Sequence, residues 1–248
     1  SLPGIKSDTQ FIYPTTGIDR FCRLLADGIV AQGGEILCDA TIDNLEIANN
    51  RIVSLTAGKR KFAPNQIVWS GTVHSLSHLL SLPAPKLCYR SLICYFLELA
   101  DGVSYPFQWS YHGAKEIIFS RVSVPQNFSP ANVPPGKRSL CVEVTCNEED
   151  AIYHQPDLFT DRLVDDLRKE GLIKYQNEIL NIHQEKFAWS YPIYNLNYHK
   201  ERNAFARTVD PIENLQRAGR LGLFWYNNMD HCLLASKTMA EATARRLT

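Results

Sequence analysis

The chain has 248 residues and carries 26 Lys+Arg against 26 Asp+Glu, a formal net charge of zero. That length allows a large core in one domain or two, and the balanced charge offers no case for nucleic acid or an anionic membrane surface as partner. No apolar run reaches the roughly 18 residues of a membrane span; the most apolar stretch, "SLICYFLEL", reads as a buried strand. The first residues, "SLPGIKSDTQ", have neither the basic n-region nor the apolar h-region of a signal peptide, and read as a place where a longer chain was cut. Seven cysteines are scattered without a CxxC, which implies reduced thiols and a cytoplasmic protein. Cys141 and Cys146 are near in sequence, but no histidine completes zinc-site spacing.

In chain order, "YPTTGIDRFCRLLADGIVAQGG" predicts a helix. Thr16 with Asp19 resembles a capping signature, Ile18, Phe21, Leu25 and Ile29 recur at helical spacing, and Gly33 and Gly34 stop the run. "EILCDATIDNLEIANNRIVSL" reads as strands with a turn at Asn49 and Asn50, and Gly58 marks a second turn before "NQIVWS". "HSLSHLLSLPAP" predicts a short helix closed by prolines. "YRSLICYFLELADG" is a strong strand candidate, and "YPFQWSYHG" and "KEIIFSRVSVP" read as paired strands. "QNFSPANVPPGKR" is loop-like and "SLCVEVTCN" strand-like. "DLFTDRLVDDLRKEG" is an amphipathic helix with Phe159, Leu163, Val164 and Leu167 on one face and Gly171 at its end. "NIHQEKFAWSYPIYNLNY" holds one more strand and a proline-broken tyrosine run. "NLQRAG" is a short strand entering a glycine turn, and "DHCLLASKTMAEATARRL" is helical. The organisation is α+β: an α/β start, a largely antiparallel middle and an α/β finish, the pattern of a discontinuous domain interrupted by an inserted sheet domain.

Several chemistries lack their anchors. There is no G-x-G-x-x-G, Walker loop, H-E-x-x-H or G-x-S-x-G. His74 and His78 are four apart on a predicted helix, with no third ligand evident, and read as solvent-facing. What stands out is the closing turn, "GRLGLFWYNNMDH". A strand ends at Gly219 and a helix begins near Asn228 to Asp230; amides at a helix N-terminus suit an anion or a flavin carbonyl. Arg220 would add a planar cation and Tyr226 a hydroxyl. The alternative is a plain Gly-Arg-x-Gly turn with Asn228 or Asp230 as an N-cap. Arg121, on an otherwise apolar strand, faces either solvent or a cavity holding an anion. Tyr191 and Tyr194 bracket Pro192 and either line a pocket or pack a sheet edge.

"YPTTGIDRFCRLLADGIVAQGGEILCDATIDNLEIANNRIVSL" resembles the middle of FAD-dependent oxidoreductases of the amine oxidase superfamily, which includes protoporphyrinogen oxidase-like proteins and UDP-galactopyranose mutases. "AGRLGLFWYNNMDHCLLASKTMAEA" is similar to the last FAD motif of the mutase-like branch. Two positions depart from commoner patterns: Thr16 stands where the family more often has glycine, and Arg220 where the commoner branches carry an acid. The mutases carry an acid where this chain has Asn228.

The resemblance covers the family's C-terminal part and lacks its N-terminal Rossmann unit. It implies a partial FAD-binding domain over residues 1–72, a substrate-binding sheet domain over 73–200, and an FAD-motif strand-turn-helix over 201–248. It places Ile42 near the adenine of FAD. Gly219, Arg220, Asn228, Met229 and Asp230 fall at the closing FAD turn. Arg121, Tyr191, Tyr194 and Tyr226 fall on the side of a small-molecule substrate, anionic or a sugar nucleotide. The implied activity is that of a flavin oxidoreductase, with mutase-like sugar-nucleotide chemistry and a flavin-independent binding module as alternatives. The missing N-terminal half is the implied partner, and this stretch alone is expected to be inactive and to hold FAD weakly or not at all.

Overall fold

The computed structural model describes residues 11–100 and 102–247; residues 1–10, weighed above for signal-peptide character, lie outside them. The elements in chain order are α1 (Asp19–Ala31), β1 (Ile42–Ala48), β2 (Arg51–Ala57), β3 (Arg60–Phe62), β4 (Ile67–Trp69), α2 (Val73–Leu79), β5 (Cys88–Leu99), β6 (Trp109–Tyr111), β7 (Arg121–Ser123), α3 (Pro125–Phe128), β8 (Arg138–Cys146), α4 (Ala151–His154), α5 (Thr160–Lys169), β9 (Ile179–Ile193), α6 (Tyr198–Val209), β10 (Leu215–Arg217), α7 (Gly219–Gly222) and α8 (Met229–Leu247). They form two compact units. One takes Ser1–Ile36, Ile93–Thr145 and His154–Lys186; the other takes Leu37–Leu92, Cys146–Tyr153 and Phe187–Thr248.

The first unit is built on a five-stranded sheet in the order β6-β7-β8-β5-β9, to which β5 contributes from Ile93 onward and β9 up to Lys186. β6–β7 and β7–β8 are antiparallel, with Ser110 opposite Val122 and Val122 opposite Val142. Along β8 every second residue, Leu140, Val142 and Val144, is buried, the period-two signature of a strand with one face on a core. α5 buries Leu163, Val164 and Leu167. Asp166 sits on that same helix face with its side chain fully buried. It accepts from Arg162 at 2.9 Å, Lys169 at 2.9 Å and the Ile118 amide at 3.0 Å. Burial alone would raise its pKa; those three donors outweigh burial and hold the carboxyl below the usual carboxylate range.

α1 forms as expected but starts differently. Its N-cap is Ile18, which has no side-chain cap bond, so Thr16 does not cap the helix; Asp19 instead pairs with Arg23 one turn on, at 2.6 Å. Its end matches the sequence reading. Gly33 takes φ +82°, the Gly33 amide bonds the Val30 carbonyl and the Gly34 amide bonds the Ile29 carbonyl, both at 2.9 Å, the paired bonds of a Schellman motif. None of α1's residues is buried, and Leu24, Leu25, Ile29 and Val30 are exposed.

The second unit holds the antiparallel meander β1-β2-β3 and the parallel pair β4–β10. Asn49 and Asn50 turn the first hairpin with φ of 50° and 60°, the left-handed pair that a two-residue turn requires. Strand structure begins only at Ile42. Residues 35–41, expected to be extended sheet, form no strand and are exposed, Ile36 and Leu37 included. The core gathers Ile52, Trp69, Val73, Leu76, Val209 and Phe224. α6, which the sequence reading passed over, delivers Phe205 and Val209 to it. Asn214 is buried and acts as a surrogate strand residue. Its Oδ1 accepts from the Ile52 amide at 2.9 Å and its Nδ2 donates to the Ile52 carbonyl at 2.8 Å, fixing the entry to β10. His74 is not solvent-facing as expected: its Nε2 lies 3.1 Å from the Pro85 carbonyl and its ring stands edge-on to Tyr89.

Candidate functional site

The closing turn lies in the second unit and grows out of β10. β10 runs parallel to β4, with Leu215 opposite Ile67 and Arg217 opposite Trp69, and the ladder continues as the Ala218 amide donates to the Trp69 carbonyl at 2.8 Å. The chain then turns sharply. Gly219 takes φ +69°, and residues 219–222 wind into one helical turn, α7, where the sequence suggested a simple strand end. Gly222 is needed for close approach: a Cβ there would lie 2.5 Å from the Trp69 carbonyl oxygen. Phe224, fully buried, takes φ +49°, a conformation that costs a bulky residue energy and here is held by packing. Its ring stands edge-on to Tyr89 at 5.0 Å and to Tyr194 at 6.1 Å.

Arg220 organises the polar side of the turn. Its Nε and Nη2 both donate to the Asn227 carbonyl, at 3.2 and 2.6 Å, and its Nη1 donates to the Ser190 carbonyl at 3.2 Å. The guanidinium lies 5.2 Å from the Tyr191 ring centre and 4.9 Å from that of Tyr226, within cation–π range of both rings, whose centres are 5.8 Å apart. Tyr194 accepts the Tyr226 amide at its hydroxyl. Four residues singled out from the sequence, Arg220, Tyr226, Tyr191 and Tyr194, therefore come together. Asn227, which the sequence reading did not single out, is buried; it supplies the carbonyl for Arg220 and accepts from Cys232 Sγ at 3.2 Å. The Ser190 carbonyl carries no sequence signal, since any residue there would offer the same atom.

α8 begins at Met229, and Asn228, Met229 and Asp230 are exposed at its start. The first amides of a helix have no intrahelical acceptor, so this end presents donors outward with partial positive charge. Ile42 opens β1, opposite Ala57, and packs half-buried against the core of the same unit. Arg121 belongs to the first unit, where its Nε donates to Glu143 Oε1 at 2.7 Å and its Nη2 reaches the same oxygen. Glu143 is buried, so the arginine's charge is met by a carboxylate on the neighbouring strand. Cys141 has Cys94, not Cys146, as its thiol neighbour.

The group implied by the resemblance is FAD. The turn fits one edge of it: outward helix amides, the Tyr226 hydroxyl and a fixed guanidinium are donors suited to a flavin carbonyl or a phosphate oxygen. A glycine-rich phosphate grip is absent from the sequence, so these residues meet part of such a ligand.

The fold is shared with solved structures of a protoporphyrinogen oxidase-like protein, UDP-galactopyranose mutase and putrescine oxidase. A protoporphyrinogen oxidase-like protein from Exiguobacterium sp. 255-15 superposes with a TM-score of 0.76 at 14% identity, over 94% of this chain and 52% of that one. Reduced UDP-galactopyranose mutase superposes with a TM-score of 0.71 at 14% identity, over 85% of this chain and 47% of its own. A putrescine oxidase variant gives 0.63 at 12% identity, over 93% and 53%. The chain thus spans about half the length of these structures. No protein-family model matches the sequence, and no curated protein matches it.

Proposed function

We propose that this chain is the substrate-binding and FAD-completing part of a flavin-dependent oxidoreductase. The observation that carries the reading is the closing turn, where a parallel strand pair delivers Arg220 against Tyr191 and Tyr226, beside the open start of α8. When bound, FAD would supply the redox chemistry. Gly219, Arg220, Asn228, Met229 and Asp230 orient its flavin end, and Ile42 lies toward its adenine end. Tyr191, Tyr194 and Tyr226 line the substrate side, and Arg121 is the substrate-side candidate of the sheet unit.

The state of the parallel pair supports this assignment. Parallel strands are normally covered on both faces within larger α/β sheets. Here the pair has two strands, and Val68 in the middle of β4 is 54% exposed. A dinucleotide-binding half that extends this sheet would cover that face and bring the missing phosphate grip.

Mutase-like chemistry on a sugar nucleotide is the second reading, favoured by one observation. Among the described residues Arg220 donates through three of its five N–H groups to two carbonyls, and its other two N–H groups, with the Tyr226 hydroxyl, suit a diphosphate. Both readings are tested in a protein carrying a glycine-fingerprint unit ahead of residue 1, by titrating with UDP-sugars and with porphyrinogens while following the flavin spectrum. A response to UDP-sugars alone selects the mutase reading, and bleaching by porphyrinogens selects the oxidoreductase. No flavin in the purified protein under any reconstitution overturns both.

A further inference from the structure

We infer that Ser110, His112 and Glu170 in the first unit form a nucleophile–base–orienter relay, a second site able to take small activated acyl or phosphonyl groups. The sequence pattern begins it. In "WSYHG" the serine and histidine are two apart, and the period of an extended chain puts both side chains on one face. Ser110 Oγ lies 2.9 Å from His112 Nε2, and His112 Nδ1 lies 2.9 Å from Glu170 Oε2. In the tautomer that donates from Nδ1 to the Glu170 carboxylate, Nε2 has a lone pair and the Ser110 hydroxyl donates to it. That polarity is what activates a hydroxyl nucleophile. A histidine that served only to anchor Glu170 would need one ring nitrogen, whereas here the second is aimed at a hydroxyl.

Each member is fixed by its element. Ser110 is in ladder register with Val122. The His112 amide donates to the Ser120 carbonyl at 2.9 Å, and its ring stands edge-on to buried Phe119 at 4.9 Å. Glu170 ends α5, with its amide on the Asp166 carbonyl at 3.0 Å. The imidazole is sheltered at 11% side-chain exposure, and the carboxylate is 31% exposed. Ser110 is half-buried on β6, the end strand of its sheet, between exposed Trp109 and Tyr111. A half-buried hydroxyl at a sheet edge suits a small acyl group.

The reaction on an ester balances without a cofactor. Ser110 Oγ bonds to the carbonyl carbon while its proton passes to His112 Nε2. The bond to the leaving alkoxide breaks, and the alkoxide takes that proton. Water then attacks the acyl carbon, His112 moves one of its protons to the departing Ser110 oxygen, and the carboxylic acid leaves. The net change is ester plus water to acid plus alcohol.

The test treats the 248-residue protein, without flavin, with a fluorophosphonate probe and reads intact and peptide mass. The expected result is one adduct, mapped to Ser110, lost in Ser110→Ala and formed at least about tenfold more slowly in Glu170→Gln. No adduct on folded wild-type protein overturns the proposal, as does an adduct at another residue or an unchanged labelling rate in Glu170→Gln. The wild-type mapping stands even if a variant fails to fold. Because no flavin enters, its failure leaves the flavin reading untouched, and the reverse.

Discussion

Arg220 shows how a residue offered as a ligand contact is first a structural tie. Its planar fork reaches two carbonyls on different segments while the guanidinium lies within cation–π range of two tyrosine rings. Lysine keeps the charge but has neither the fork nor the flat face. Arg220→Lys is therefore expected to lower stability by about 1.5–3 kcal/mol, the range for hydrogen bonds to charged groups, read from urea denaturation followed by tyrosine and tryptophan fluorescence. Unchanged stability would mean the two carbonyls do not hold the arginine in solution. The cysteines give a second expectation at this scale. The Cys141 thiol is pushed up by its shared hydrogen bond with Cys94, by burial and by nearby Glu143, and burial lifts Cys146 to about 11. Cys22, Cys38 and Cys88 are exposed. Alkylation of native protein near pH 8, followed by peptide mass, is expected to modify those three well before Cys141 and Cys146.

Among the elements, α5 and α1 make opposite predictions. In α5 the buried Asp166 has its pKa depressed in the folded state, so its contribution to stability is complete above the unfolded value of about 3.9 and is lost as pH falls through the folded one. Asp166→Asn is expected to be less stable at pH 7 and to show a flatter loss of stability between pH 5 and pH 2, measured by denaturant titration at each pH. In α1 the apolar residues face solvent, so Leu25→Glu should change the stability of this chain by no more than about 0.5 kcal/mol. A large loss would show that Leu25 is covered. The contrast also explains what the sequence disclosed. The α1 pattern, the Asn49-Asn50 turn, the long β5 and the stripe on α5 were legible because local periodicity and turn chemistry specify them. α6 was missed because its core contact rests on Phe205 and Val209 within a mostly polar run. Residues 35–41 read as strand because a strand pattern is legible locally, whereas the partner that would complete it is not.

For the whole molecule, the same logic separates the legible from the hidden in the site. Gly219, Arg220 and Tyr226 announced a special turn by residue type, and Asn228 to Asp230 announced a helix start. The tertiary partners of Arg220, a backbone carbonyl at Ser190 and another at Asn227, were invisible because backbone atoms carry no sequence label. The exposed apolar residues of α1, the two-stranded parallel pair and Val68 are surfaces that the proposed flavin reading expects a dinucleotide-binding unit to cover. The most direct measurement is flavin content. The 248-residue chain and a protein carrying a glycine-fingerprint unit ahead of residue 1 are each titrated with FAD, and bound flavin is read by absorbance and fluorescence quenching. The expected result is weak or no binding to the chain alone and about one tightly held FAD in the extended protein, reduced by Arg220→Ala. A stoichiometric, tightly held flavin on the 248-residue chain, or none on the extended protein, would contradict it.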